Sequence, residues 1–139
     1  MAQVAIIVNG PASAGKAEIS RALGILLGCP VLDPAPLLQT LKQQTGPVAP
    51  AESVRALAVE TVWRTAGLVE AGVIVDGTFE PGVAETVRRG FELAGAPRVV
   101  EVWCGEAGGA LALTPVVDIE SVDTVDMDAL VHRISALFV

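Results

Sequence analysis

The stretch "NGPASAGKAE", residues 9 to 18, holds Gly10, Gly15 and Lys16 at the spacing G-x-x-x-x-G-K. Glycine at those two positions lets the backbone turn so that successive N–H groups face inward. A helix starting beside Gly15 adds the positive end of its dipole, and lysine adds a point charge. The cradle so formed, Gly10, Pro11, Ala12, Ser13, Ala14, Gly15, Lys16 and Ala17, suits the phosphates of a nucleotide. The full pattern ends in serine or threonine, whose hydroxyl holds a magnesium ion, and Ala17 has no oxygen to offer. Ser13 and Ser20 are near in sequence, but neither stands at the matching position; Ser13, fourth in the loop, would face the phosphates. The bland reading of the same residues is a glycine-rich turn between a strand and a helix.

Two carboxylates belong beside that loop. Asp33 closes the apolar run "CPVLD" and Asp76 closes "GVIVD". If both runs are strands of one parallel sheet, both side chains project near the edge that carries the loop, where open α/β sheets place their ligands. A carboxylate there holds magnesium or accepts the proton of an attacking hydroxyl. Each aspartate taken alone serves equally well as the cap of the turn that follows it. Thr78 carries less weight.

The elements that must position these groups alternate regularly. Strand-length apolar runs "QVAIIV", "CPVLD", "GVIVD", "RVVEVWC" and "PVVDIESV" are separated by stretches of helical period, which predicts βαβ units around a five-stranded parallel sheet. The helix "KAEISRALGILLG" places Ile19, Leu23 and Leu26 on one face and stops at Gly28. Between Pro34 and Pro50 the prolines, glutamines and Gly46 predict a mobile connection with at most a short helix in "PLLQTLKQQT", a place for a substrate loop. Longer helices follow in "PAESVRALAVETVWRTAGLVEAG", "VAETVRRGFELAG" and "MDALVHRISALFV".

Composition narrows the function classes. The chain has 139 residues, room for one domain over 1–139, and is 52% hydrophobic with 18% charged residues, too apolar for disorder. A formal charge of −7 without a Lys/Arg cluster opposes nucleic acid binding. The first apolar run is too short for a signal peptide or a membrane span, so the expectation is a soluble cytoplasmic protein. Cys29, Cys104 and the lone His132 form neither a metal-ligand spacing nor a disulfide framework; both thiols are expected buried and reduced, and His132 at the surface. Trp63 and Trp103 fit core positions. Arg64, Arg88 and Arg89 lie on predicted helices and read as solvent-facing or helix-pairing residues. Asp118, Glu120, Asp123, Asp126 and Asp128 solvate a strand edge and charge the start of the last helix favourably.

"GPASAGKAEISRALG" together with "GVIVDGTFEPGVAETVRRGFELAGAPRVVEVWC" resembles the small P-loop kinases of the adenylate-kinase-like group, and is similar to bacterial small-molecule kinases related to zeta toxins and chloramphenicol phosphotransferase. "SVDTVDMDALVHRI" resembles the last strand and helix of that group. The resemblance implies a three-layer α/β/α fold with strand order 2-3-1-4-5 and ATP-dependent phosphotransfer to a hydroxyl of a small molecule. It further implies Lys16 on the ATP phosphates, Asp33 serving the acceptor hydroxyl, and Asp76 assisting magnesium.

Two departures bear on activity. One is Ala17. The other is "GEAGGALALTP" after Cys104, which has no arginine or lysine where such kinases carry an arginine-rich lid, so the lid reads as deleted near 105–115. Arginines of that kind contribute roughly 10³ to 10⁵ in rate where they act as fingers. An uncovered site on so apolar a chain favours self-association, and a homo-oligomer is expected. Three readings stay open: a minimal kinase, a nucleotide-binding protein without turnover, and a pseudokinase that acts through protein interaction.

Overall fold

A computed structural model describes residues 3–11, 14–106 and 108–138. The valine- and isoleucine-rich runs form five parallel strands, β1 (Val4–Asn9), β2 (Val31–Leu32), β3 (Val73–Gly77), β4 (Arg98–Cys104) and β5 (Val116–Ile119). Their order in the sheet is β2-β3-β1-β4-β5, the 2-3-1-4-5 order expected. Strand β1 is central because it is buried on both faces, with Ala5 to Asn9 all inaccessible. Its partners in register include Val8 with Asp76 on β3 and Asn9 with Trp103 on β4.

Alternation of side chains divides the core into two layers. On one face Ile6, Val8, Ile74, Val100 and Val102 pack under α1 (Lys16–Leu27) and α5 (Met127–Leu137), whose Ile19, Leu23, Leu130 and Ile134 are buried. On the other, Ala5, Ile7, Val73, Val75 and Val99 pack under α3 (Ala51–Ala66) and α4 (Ala84–Leu93) around Trp63. The layers make a three-layer α/β/α fold.

Several boundaries differ from the periodicity. The segment after Asp33 is no mobile connection but a full helix, α2 (Pro34–Thr45), because Asp33 caps it and Pro34 and Pro36 occupy the first turn, where proline forfeits no helical hydrogen bond. Strand β2 keeps only two residues of "CPVLD" at the sheet edge. Helix α3 ends at Ala66 rather than running through "GLVEAG", whose Gly67 belongs to a turn and whose Gly72 leads directly into β3. Leu26 is exposed and Leu27 takes the inward position on α1. Cys29 is only half buried, while Cys104 is buried and both are free thiols. His132, Arg64, Arg88 and Arg89 are exposed, with Arg89 bridging α4 to Glu60 of α3. Among the described residues no helix is long and apolar enough to cross a membrane.

Candidate functional site

Strand β1 delivers the chain to Gly10, whose backbone passes so close to β4 that a Cβ there would lie 2.2 Å from the Cys104 carbonyl oxygen. Gly15 adopts a left-handed conformation, φ 73°, and hands the chain to α1. Lys16, the first residue of that helix, folds back over the loop and is buried; its Nζ donates to the Pro11 carbonyl and to Thr78 Oγ1, each at 3.3 Å. The Ala14 N–H also donates to the Pro11 carbonyl, at 3.0 Å. Strand, loop, helix start and lysine thus follow one another in the expected order, with Lys16 against the loop. Ala12 and Ser13 lie outside the described residues. Thr78, given little weight from sequence, is the lysine's partner across the loop.

Asp76 sits at the end of β3, buried on the α1 face. Burial pushes its carboxyl above the ordinary aspartate range; Lys16 pulls the other way, Asp33 adds to the rise, and the Ser20 hydroxyl opposes it. Lys16 and Asp33 thus act in opposite directions on the charge of Asp76. Ser20 is buried, and its Oγ has no hydrogen-bond partner among the described residues. Asp33 is exposed, and one of its oxygens, Oδ1, accepts the Ala35 N–H at 2.8 Å as the cap of α2. Asp33 thus caps the turn that follows it, one of its two sequence readings, and it lines a hollow together with Asp76.

Two hollows flank the loop. The larger, about 1400 Å³, opens over Gly10, Pro11 and Gly15 and reaches Trp103. Among the described residues its walls carry Glu80, Glu106, Asp118, Glu120 and Asp123 and no lysine or arginine. Part of the acidic stretch near the C-terminus thus lines a hollow, while Asp126 caps α5, accepting from the Asp128 and Ala129 N–H groups. The smaller hollow, about 460 Å³, is lined by Ala17, Arg21, Cys29, Val31, Asp33 and Asp76. Position 17 opens into this second space.

Magnesium would find few ligands here. Ala17 has no oxygen, Thr78 Oγ1 is engaged by Lys16, one Asp33 oxygen caps a helix, and no group of three acidic, histidine or cysteine side chains is poised for a metal among the described residues. Asp76 remains. One carboxylate fits an ion that arrives already bound to a nucleotide's phosphates and keeps most of its waters, and does not fit a resident ion.

Sequence reasoning missed Glu101 and Asn9. Glu101 interrupts the buried run "RVVEVWC" and is 1% exposed, which is itself the signal: a carboxylate inside a parallel sheet must be paired. It accepts from Asn9 Nδ2 and from the Leu111 and Ala112 N–H groups at 2.9 to 3.0 Å. Asn9, 0% exposed, spends its other atoms on the backbone of Gly10 and Phe79.

No family model matches the sequence, and no curated protein matches it. Solved structures do. A protein of Chloroflexus aurantiacus classed as a kinase aligns over 99% of both chains with 16% identity and a TM-score of 0.74. The APS kinase of Mycobacterium tuberculosis, solved with AMPPNP and APS, aligns over 99% of this chain and 98% of its own with 14% identity and a TM-score of 0.66. Shikimate kinase of Aquifex aeolicus aligns over 96% and 95% with 15% identity and a TM-score of 0.58. With its strand order, its layers and its loop at the end of β1, the chain has the fold of the P-loop small-molecule kinases.

Proposed function

We propose that the protein binds ATP through residues 10–17 and transfers its γ-phosphate to a hydroxyl of a small molecule held in the smaller hollow. The observation that carries this reading is the convergence of Lys16, Asp76 and Asp33 at one sheet edge, with a separate space beside each side of the loop. Lys16 and the amide groups at the start of α1 hold phosphate oxygens and stabilise the charge that develops there. Asp33, whose second oxygen is uncommitted, accepts the proton of the attacking hydroxyl. Asp76 would hold the magnesium that accompanies ATP, an ion that would supply positive charge beside the transferred phosphoryl group.

The APS kinase solved with AMPPNP and APS supports the assignment of a nucleotide and a small acceptor to such a fold. The five carboxylates around the larger hollow favour a second reading, nucleotide binding with little or no turnover, because nothing there replaces the cations that a triphosphate transition state needs. ADP formation from magnesium-ATP, followed across a panel of small hydroxyl compounds, separates the two. Acceptor-dependent ADP that vanishes in Asp33→Asn supports transfer. ATP binding without ADP formation under any acceptor supports the second reading.

A further inference from the structure

Residues 105–115 run from β4 to β5 without helix or strand among those described, and the question is what holds them in place. Two side chains on the same face of β4 do so. The Trp103 Nε1–H donates to the Glu106 carbonyl at 2.6 Å, and Gly109 lies where a Cβ would come 2.0 Å from the indole. Two residues earlier, Glu101 accepts the N–H groups of Leu111, through Oε2, and Ala112, through Oε1. Ala112 takes a left-handed φ of 56°, a conformation that alanine adopts only under constraint.

The same Oε2 accepts from Asn9 Nδ2 at 2.9 Å, and Asn9 fixes both neighbouring loops. Its Oδ1 accepts the Gly10 N–H and the Phe79 N–H at 2.8 Å each, and its Nδ2 also donates to the Phe79 carbonyl at 3.0 Å. Phe79 follows Thr78, whose hydroxyl receives the Lys16 ammonium. An unbroken set of contacts therefore leads from the 105–115 strap through Glu101 and Asn9 to the first glycine of the loop and to the group that holds its lysine.

We propose that Glu101 and Asn9 are positioning residues for the anion cradle: they fix the entry of the loop and the Thr78–Phe79 turn, so that the strap's attachment sets how well Lys16 and the loop amides receive phosphate. Asn9 lines the floor of the larger hollow, whereas Glu101 lines neither hollow and lies behind Asn9. Phosphate affinity then depends on a residue that no phosphate reaches. A buried carboxylate receiving three N–H groups is also intolerant of its own amide, because whichever oxygen becomes NH₂ meets a donor.

The role presupposes the phosphate-binding loop proposed above, and the test keeps the two apart. Inorganic phosphate and ADP are titrated calorimetrically into the native chain, Glu101→Gln, Asn9→Ala and the core control Val99→Ala, and amide exchange at Gly10 and Phe79 is followed by NMR without ligand. At equal folded fraction, Glu101→Gln is expected to weaken phosphate binding about tenfold, the size seen when support behind a binding group is removed. It is also expected to speed exchange at Gly10 and Phe79, whereas Val99→Ala leaves affinity unchanged. Asn9→Ala reproduces the effect if Glu101→Gln does not fold. A folded Glu101→Gln or Asn9→Ala with native affinity and native exchange at both amides overturns the proposal. If the native chain binds no phosphate, the cradle reading fails by itself; exchange then decides, with Gly10 and Phe79 protected in the native chain and released in the variants supporting the positioning role, and no difference refuting it.

Discussion

Replacing Gly10 by alanine should damage the protein out of proportion to a single methyl group. The new Cβ would stand 2.2 Å from the Cys104 carbonyl oxygen and 3.2 Å from its carbonyl carbon, where ordinary contact begins at 3.4 Å. About 1.2 Å must be found between two backbones, since 3.4 less 2.2 is 1.2. Neither strand gives easily, because β1 and β4 are hydrogen-bonded in register from Val4 to Asn9 and both are buried. Overpacking of this kind costs about 1–3 kcal/mol. Displacing Gly10 also forfeits its hydrogen bond to Asn9 Oδ1, about 1 kcal/mol more. The expected loss is about 2–4 kcal/mol, or a fall in Tm on the order of 10 °C for a chain of this size. Urea unfolding followed by the fluorescence of Trp63 and Trp103 measures it, with Gly82→Ala as control because nothing lies within 4 Å of a Cβ there. A Gly10→Ala protein within about 0.5 kcal/mol of the native one, the ordinary scatter of a surface substitution, would refute the close approach of β1 and β4.

Asp76 is held above its ordinary range, chiefly by burial. The folded state therefore binds that proton more tightly than the unfolded chain, and the stability this contributes is present at low pH and lost as pH rises through the folded value. Asp76→Asn should accordingly be more stable than the native chain at neutral pH, with the advantage shrinking in acid, and urea midpoints measured across that range decide. The same substitution should abolish magnesium-dependent strengthening of ATP binding. Cys104 is pushed up to about 11 by burial; its contribution to stability is present below the ordinary thiol range and lost as pH rises through that value, so the native protein should weaken in strong alkali more than Cys104→Ala. At mildly alkaline pH, iodoacetamide should label half-buried Cys29 first, read by peptide mass. Ala17→Thr should supply the missing hydroxyl and raise ATP affinity several-fold with magnesium and not without it, measured by calorimetry.

The sheet was legible because its strands are nearly continuous valine and isoleucine, a pattern that only a sheet covered on both faces requires. The loop was legible because its glycines and lysine follow such a strand directly. Helix α2 was not, since three prolines in "PAPLLQTLKQQTGP" read as punctuation until Asp33 is seen to cap the first turn that holds two of them. The depth of the site was also hidden. Nothing in "GEAGGALALTP" says what it binds to, and its anchor, Glu101, looks in sequence like a stray charge within a strand. Asn9 was visible only as the letter before the first glycine. Its four backbone and side-chain contacts exist because three distant segments, at residues 9, 79 and 101, meet at one sheet edge, which no local pattern records.

Whether residues 10–17 with Lys16 receive the phosphates of ATP is decided by calorimetric titration of the native chain and of Lys16→Ala with ATP, each with and without magnesium. Saturable binding to the native chain, stronger with magnesium, is expected, with its loss in Lys16→Ala without loss of fold. Equal binding by the two proteins, or none by the native one in either condition, would contradict that role for the loop.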